Sequence, residues 1–385
     1  MHNFRAKSNI VLGILFILAL LALLAVENSK VNVRQDWYQQ KLSAAQLAEV
    51  AENCLKNYRL QNGIFIDVIN DPNQTALIGQ EYTLVTTDRG YIDAKLASTN
   101  PNFAAVIVQL LKEAGVEQGD YIAVAFTGSF PGLNIATMAA IETLKLNPVV
   151  ITSVGASNYG ANDPYFTWLD MESVLYNSNV FHNRSVAASI GGGNDMGRGL
   201  SPEGRELILK AIDRNNVLLI NEQYLEKSID RRMELYNQFS NGKPIKAFIN
   251  TGGGIASLGN AVNANFIPPG LTTELDMRNF PMRGVLIRMA EDQVPVIHLM
   301  NVKELCRNFG LHYTTVPMPE PGEGGIFVHE KYSLPVTAVA TAILIIVIAL
   351  IYRAERKYHR LGTEVVPALK NDGDDKSGPD GLDVI

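Results

Sequence analysis

A long uncharged run near the carboxyl end constrains the fold of this chain more than any other stretch. The run LPVTAVATAILIIVIALIY covers residues 334–352, and about 20 apolar residues in a helix are enough to cross the hydrocarbon core of a bilayer. A basic cluster follows within residues 353–360, and such clusters usually stay on the cytoplasmic side. A buried core helix is the alternative, but it rarely lacks a polar face over this length. The run therefore predicts a transmembrane helix.

A second uncharged run, IVLGILFILALLALLAV, covers residues 10–26 and follows Arg5 and Lys7. The apolar segment of a cleaved signal peptide is the alternative for such a run. We expect an uncleaved anchor, because the run is longer than a typical signal segment and no A-x-A cleavage site follows before Glu27.

Two spans with basic flanks predict a protein of the cytoplasmic (inner) membrane with both termini inside. The central region is large enough for one α/β domain, with two lobes as an alternative. The predicted regions are a cytoplasmic N-terminus at 1–9, a transmembrane helix at 10–26, an extracytoplasmic α/β domain at 28–333, a second transmembrane helix at 334–352, and a cytoplasmic, basic-then-acidic disordered tail at 353–385.

Composition and spacing exclude several classes of site. The 385 residues carry a net charge of -6, and the central region has no long basic stripe, so we expect no nucleic-acid partner. No CxxC or HExxH spacing occurs, so we predict no metal, and we predict no cofactor. The two cysteines, Cys54 and Cys306, are expected to be unpaired thiols, although an exported domain would permit a disulfide.

The central region has the pattern of a parallel α/β sheet. A helix predicted at residues 134–146 joins two apolar runs, and a strand–helix–strand unit of this kind implies a parallel pair. We therefore predict an α/β fold with a largely parallel sheet flanked by helices. A continuous apolar run of strand length, typical of a strand buried on both faces, covers residues 121–126, and further strands are predicted at 149–154, 186–190, 217–220, 245–250 and 294–299.

Weaker local patterns give further predictions. A capping box at Ser43–Gln46 predicts a helix that begins there and ends near Tyr58. Residues 64–69 and 82–86 are predicted as strands, and residues 270–284 as an irregular loop.

Four loops rich in Gly, Ser, Asn and Thr follow predicted strands, and we predict a ligand site among them. In open α/β sheets, ligands bind beyond the carboxyl ends of the strands, where the next helices present free N–H groups. The expected guest is an anion or carboxylate, and the alternative is that the glycines only make tight turns. The candidate ligand-binding residues are Thr127, Gly128, Ser129, Gly155, Ser157, Asn158, Gly192, Gly193, Asp195, Arg198, Thr251, Gly252, Gly253 and Ser257.

Catalytic and nucleotide motifs are incomplete in these loops. Residues 254–259 have the spacing of a Walker loop, but Asn260 stands where a lysine is required. Ser157 and Ser257 each lack one glycine of the G-x-S-x-G nucleophile elbow. We therefore assign no catalytic residue.

Charged residues and histidines offer two further patterns. Asp195 and Arg198 share one glycine loop and could orient an amino-acid-like ligand, with a solvated ion pair as the alternative. His182 and His298 lie near predicted strands, but an isolated histidine is weak support for a catalytic base.

Three stretches of the chain resemble the poly-gamma-glutamate system protein family. They are AFTGSFPGLNIA at residues 125–136, ITSVGASNYGANDPYFTWLDME at 151–172 and SIGGGNDMGRGL at 189–200. Members of this family are membrane proteins encoded beside the ligase and membrane subunits that make and export bacterial poly-γ-glutamate. The resemblance covers most of the chain, including both apolar runs, but the family has no assigned catalytic residues that could be transferred.

The resemblance implies a non-catalytic accessory subunit of poly-γ-glutamate synthesis or export in the bacterial cell envelope. Its expected partners are the membrane subunits of the synthase and the carboxylates of the anionic polymer. One alternative is an extracytoplasmic hydrolase or transferase that acts on γ-glutamyl or other amide bonds, which would need a nucleophile and a base from separate loops. Another is a structural scaffold in which the loops are only turns.

Overall fold

A computed structural model describes residues 9–276 and 279–363, with side chains up to residue 357. The chain forms two compact units. The first contains the chain up to Val33 and from Glu330 onward, and the second is Arg34–His329. The predictions for residues 1–8 and for the tail beyond Thr363 lie outside the described residues. Residues 353–363, predicted as the start of a disordered tail, are helical, because they continue the last helix to Thr363.

The helices and strands are numbered in chain order. The helices are α1 Asn9–Glu27, α2 Tyr38–Gln61, α3 Ile92–Ser98, α4 Phe103–Glu113, α5 Pro131–Leu144, α6 Trp168–Asn177, α7 Pro202–Arg214, α8 Leu225–Phe239, α9 Ile255–Leu258, α10 Val285–Glu291, α11 Val302–Phe309 and α12 Leu334–Thr363, with a 3-10 helix at Ala261–Asn265. The strands are β1 Val31–Arg34, β2 Thr86–Asp88, β3 Tyr121–Thr127, β4 Asn147–Ser153, β5 Ala156–Ser157, β6 Asn162–Asp163, β7 Phe166–Thr167, β8 Ala187–Ser189, β9 Leu218–Ile220, β10 Ile245–Thr251, β11 Gly270–Thr272, β12 Val296–Leu299 and β13 Val328–Lys331.

The first unit contains the two apolar helices that the sequence predicts. Both α1 and α12 are long and apolar enough to cross a membrane, and the described chain buries neither apolar segment. The two helices pack against each other. On α1 the half-buried residues Val11, Leu15, Leu18 and Ala22 recur three or four positions apart, which places them on one helix face.

A seven-stranded sheet forms the centre of the second unit, in the order β11-β12-β10-β3-β4-β8-β9. All neighbours are parallel except β11, which runs antiparallel to β12. β3 and β4 stay in register from Tyr121 opposite Asn147 to Thr127 opposite Ser153, and α5 lies between them in the chain. The predicted α/β class with a largely parallel sheet is confirmed.

Helices cover both faces of this sheet. On β3, Ile122, Val124 and Phe126 belong to the core formed with α2, α4 and α5, whereas Ala123 and Ala125 belong to the core formed with α8 and α10. Successive side chains of a strand point to opposite faces. A strand covered on both sides is therefore apolar at every position, which explains the continuous apolar runs of the sequence.

Two weaker strand predictions are wrong. Residues 64–69 form no strand, because the Asp67 carboxylate accepts the N–H groups of Ile69 and Asn70 at 3.1 and 3.2 Å and makes a turn there. Residues 82–85 are also irregular, since β2 begins only at Thr86.

Two predicted boundaries are wrong as well. The helix predicted to begin at Ser43 begins at Tyr38, after Trp37 in the left-handed region with φ of 56°. Ala44 and Ala45 inside this longer helix are fully buried, so core packing extends it past the predicted cap. The predicted loop at 270–284 contains β11, which pairs with β12.

The strand order reverses between β3 and β10. From β3 the chain moves outward through β4, β8 and β9, and it then returns to the other side of β3 at β10. Where the order of an open parallel sheet reverses in this way, the loops at the carboxyl ends separate and leave a crevice for a ligand. The fold therefore places a cleft beyond Thr127 and Thr251.

Candidate functional site

A cleft of about 970 Å³ lies at the carboxyl edge of the sheet. The four predicted loops meet there, although the sequence alone did not show that they share one site. Gly252 lets two of them approach closely, since its φ is +83° and a Cβ would lie 2.6 Å from Thr127 Oγ1. The predicted residues that line the cleft are Thr127, Ser129, Gly155, Ser157, Gly192, Gly193 and Gly253.

Lys95 and Ser157 form a hydrogen-bonded pair in the wall of the cleft. Lys95 Nζ lies 2.7 Å from Ser157 Oγ, and it also donates to the carbonyl oxygen of Ser129. Lys95 is 2% exposed and Ser157 is 7% exposed. Within the described residues, no carboxylate pairs with this amine. The chain thus buries a lysine without a counter-charge beside a serine hydroxyl.

Burial lowers the pKa of Lys95 to about 7, because removal from water penalises the ammonium form. The ring of Phe130, 3.8 Å from Nζ, acts in the opposite direction, since an aromatic face attracts a cation. A lysine with a pKa near 7 is partly neutral at neutral pH. A neutral amine at this distance can accept the proton of the serine hydroxyl.

The short strands β2 and β5 bring the pair together. β5 contains Ser157 and pairs in parallel with β2, from which the chain runs on into α3 and Lys95. Asn158 reinforces this pairing: its N–H donates to the Asp88 carbonyl and its Oδ1 accepts from the Gly90 N–H, both at 3.1 Å.

A Cβ at Gly90 would lie 3.0 Å from Ser157 Oγ and 3.1 Å from Lys95 Cε. Glycine at this position leaves room for the pair.

Ser129 links the loop after β3 to this pair. Its Oγ accepts the N–H of Ser157 at 3.1 Å, and its own N–H donates to Thr127 Oγ1 at 3.3 Å. The Ser129 carbonyl also accepts from Lys95. The loop after β3 therefore holds both the backbone of Ser157 and the amine of Lys95, and Lys95 in turn contacts the Ser157 hydroxyl.

The rest of the cleft offers cations and apolar surface. Arg89 and Lys303 are exposed and line it. His298 also lines it, whereas His182 is exposed elsewhere and lies 3.1 Å from Glu142. The apolar lining residues include Phe130, Ile255, Phe266, Ile267, Pro268, Pro269, Met300 and Val302.

The predicted roles of Asp195 and Arg198 are wrong. Asp195 is 3% exposed and pairs at 3.0 Å with the buried Arg232 of α8. Its carboxylate also accepts from the hydroxyl groups of Ser189 at 2.7 Å and Ser228 at 2.6 Å. Arg198 is exposed and does not line the cleft. Asp195 therefore anchors its glycine loop to the sheet, and it neither orients a ligand with Arg198 nor forms a solvated ion pair.

The remaining predicted residues lie behind the surface of the cleft. The Gly252 N–H donates to the Leu299 carbonyl at 3.1 Å, and the Thr251 carbonyl accepts the Thr127 hydroxyl at 3.2 Å. These contacts tie the loop after β10 to both neighbouring strands. The residues in this position are Gly128, Asn158, Thr251, Gly252 and Ser257.

Sequence analysis missed Lys95 and Gly90. Lys95 belongs to the seven-residue helix α3, and the strands that position it contain two and three residues. Segments this short have no recognisable period. The available signal was the glycine at position 90, which follows β2.

Among the residues that the structure describes, no group of three or more His, Cys, Asp or Glu side chains could hold a metal ion. Cys54 and Cys306 are free thiols. Comparisons with family models, with curated proteins and with solved structures found no match to this chain.

Proposed function

We propose that this chain is a membrane-anchored acyl-transfer enzyme with Ser157 as the nucleophile and Lys95 as the general base. The observation that carries the proposal is the 2.7 Å contact between the Ser157 hydroxyl and a buried amine whose pKa is about 7. A serine nucleophile needs an adjacent base, and a desolvated lysine can supply one. A purely structural lysine usually pairs with a carboxylate or extends into water.

The proposed reaction has two halves. Lys95 Nζ accepts the Ser157 hydroxyl proton while Oγ bonds to the carbonyl carbon of an amide. Lys95 then gives that proton to the leaving nitrogen as the C–N bond breaks, and the acyl group stays on Ser157 as an ester. In the second half, Lys95 accepts a proton from a water or an amine that attacks the ester. The proton returns to Oγ as the acyl group leaves, so water gives hydrolysis and an amine gives transfer.

The substrate class that we propose is a γ-glutamyl amide or a related carboxylate-bearing amide. Three stretches resemble poly-gamma-glutamate system proteins, which supports a γ-glutamyl polymer. Arg89 and Lys303 line the cleft beside the carboxylates of Asp88 and Glu304, and the two cationic side chains supply charged donors that suit substrate carboxylates. The volume of about 970 Å³ is at the upper end of the range of about 300–1,000 Å³ for ligand pockets, which suits an extended chain.

Covalent labelling tests this function without a known substrate. The full-length protein in detergent is treated with a fluorophosphonate, and peptide mapping by mass spectrometry locates the adduct. We expect one adduct, on Ser157, that is absent from Ser157→Ala. Ser257→Ala is the matched control and should label normally, because Ser257 does not line the cleft. Absence of an adduct on Ser157 in the wild-type protein would overturn the proposal.

A non-catalytic accessory subunit of poly-γ-glutamate synthesis or export is the second candidate function. The exposed cations and the size of the cleft support it, since binding of an anionic polymer needs no nucleophile. The two candidates differ in cells that carry Ser157→Ala. Polymer amount and length should change if Ser157 is a nucleophile, and they should stay the same if the cleft only binds.

We further propose that the central domain lies outside the cytoplasmic membrane and that both termini lie inside. The apolar helix α1, the apolar segment of α12 and the basic residues that follow this segment within α12 support this topology. Tyr165 is 77% exposed, so Tyr165→Cys in a Cys54→Ala background should react with a membrane-impermeant maleimide in spheroplasts. Arg356→Cys in the same background should react only after permeabilisation. The opposite pattern would place the domain in the cytoplasm.

A further inference from the structure

His298 is a buried donor without an acceptor in the wall of the cleft. It lies in β12 and is 1% exposed. Its Nδ1 is 3.0 Å from Asn250 Nδ2, and that amide also donates to the Gly252 carbonyl at 2.7 Å, which fixes its orientation. Since Nδ1 must then accept, Nε2 carries the hydrogen. Nε2 is buried and has no hydrogen-bond partner among the described residues.

This donor is neutral over the physiological pH range. Burial lowers the pKa of His298 to about 4, so the ring keeps one N–H and no charge at neutral pH. A buried N–H without an acceptor is unfavourable and uncommon. The arrangement is therefore explained best by an acceptor atom that arrives with a ligand.

The loops that follow the neighbouring strands β10 and β12 also offer donors. The N–H groups of Gly253 and Gly254, which line the cleft after β10, have no acceptor within residues 9–276 and 279–363. The same holds for Val302 and Lys303 at the start of α11, whose residues line the cleft too. An anion is favoured where free N–H groups and the positive end of a helix converge.

The one carboxylate at this end of α11 is already engaged. Glu304 accepts from Asn301 Nδ2 at 2.7 Å, and its other oxygen lies 3.6 Å from Arg307 Nη2. The negative charge of Glu304 is therefore partly compensated. The ammonium group of Lys303 and the free N–H groups then favour an anionic ligand.

We infer that the cleft contains a carboxylate-binding subsite in which His298 Nε2–H is the buried donor. The inference rests on the proposed function, because it places a carboxylate of the same substrate that Ser157 attacks. Ser157 is hydrogen-bonded to the loop after β3, and β3 and β12 are two strand spacings apart in the sheet, which is about 10 Å. A carboxylate at His298 would thus belong to a different residue of the substrate from the amide at Ser157. The subsite would select substrates with repeated carboxylates.

Protection of Ser157 from fluorophosphonate tests the subsite. Short γ-linked glutamate oligomers should protect the wild-type protein, and the same oligomers with amidated α-carboxylates should protect it at least 10-fold less well. His298→Leu removes the donor and keeps an apolar side chain of similar reach. It should raise the oligomer concentration for half-protection by about 10-fold or more, because a hydrogen bond to a charged group is lost, and it should reduce the preference for carboxylates.

Two controls separate this inference from the proposed function. His182→Leu is the matched control outside the cleft and should behave like the wild type. Direct calorimetric binding of the oligomer to full-length protein gives a readout that does not need a reactive serine. If Ser157 never reacts but His298→Leu weakens calorimetric binding, the subsite stands and the enzyme function fails. Equal protection and equal binding in His298→Leu and wild type would overturn the subsite.

Discussion

Replacing Lys95 by Met is expected to slow the reaction of Ser157 with a fluorophosphonate by about 10²–10⁴-fold, the usual contribution of a general base. Met fills a similar volume without an amine, so Ser157 loses the proton acceptor that lies 2.7 Å away. Lys95→Arg should not rescue the rate, because a guanidinium stays protonated at any pH that the protein tolerates. The second-order rate constant for labelling is the measurement.

The pH dependence of the same rate gives an independent signature. Lys95 acts as a base only when neutral, and its pKa is about 7. The labelling rate of the wild type should therefore rise as the pH increases through about 7 and then level off. The residual rate of Lys95→Met should lack this step. A wild-type rate that falls with increasing pH in this range would contradict the role of Lys95 as base.

Stability distinguishes a catalytic lysine from a structural one. The pKa of Lys95 is lowered on folding from 10.5 to about 7, so between these values the unfolded chain binds more protons here than the folded chain. The free energy of unfolding should then rise with pH across this window. Lys95→Met lacks this dependence and should be at least as stable as the wild type near pH 7, because it buries no charge. A large loss of stability in Lys95→Met would indicate a structural role instead.

The sheet and the position of the cleft could be predicted because they depend on strong, regular patterns. The continuous apolar run at residues 121–126 forms β3, and the largely apolar stretch at 245–250 forms β10, which is buried from Ala247 onward. Polar glycine loops follow both strands, and the carboxyl ends of parallel strands meet at one edge. The sequence pattern therefore predicted both the positions of these strands and the edge of the sheet at which a ligand could bind.

The chemistry of the site could not be predicted, because it depends on contacts between distant segments. Lys95 and Ser157 are joined by the pairing of two very short strands. Asp195 and Arg198 are close in sequence, but the left-handed backbone at Asp195, with φ of 62°, accompanies a carboxylate that faces the sheet. The partner of Asp195 is Arg232, in a helix three elements further along. Sequence proximity was a poor guide to ion pairing here.

Asp195 and Lys95, two of the buried ionisable residues of this domain, are compensated in different ways. Asp195 has a guanidinium and hydroxyl donors around it, as a buried ion pair requires for stability. Lys95 has no counter-charge among the described residues and relies on a lowered pKa. The compensated pair lies behind the loop and stabilises it, whereas the uncompensated amine lies in the cleft. We therefore expect replacement of Asp195 to destabilise the domain and replacement of Lys95 to leave its stability unchanged or higher.

Asp195→Ala is accordingly expected to destabilise the domain by about 3–5 kcal/mol, the usual cost of leaving one partner of a buried ion pair unpaired. The Arg232 guanidinium would remain 1% exposed, and its Nε already has no partner among the described residues. Denaturant unfolding of the full-length protein in detergent, followed by the fluorescence of the buried Trp168, measures the effect.

The double variant Asp195→Ala/Arg232→Met should recover about 2 kcal/mol or more of this loss, because it also removes the stranded charge. Arg198→Ala is the matched control on the same loop, and since Arg198 is exposed its effect should stay within about 0.5 kcal/mol. If Asp195→Ala unfolds like the wild type while carboxylate binding is lost, then Asp195 is a ligand residue and the buried pair contributes little. If the double variant is less stable than Asp195→Ala, the cost comes from lost packing and not from the unpaired guanidinium.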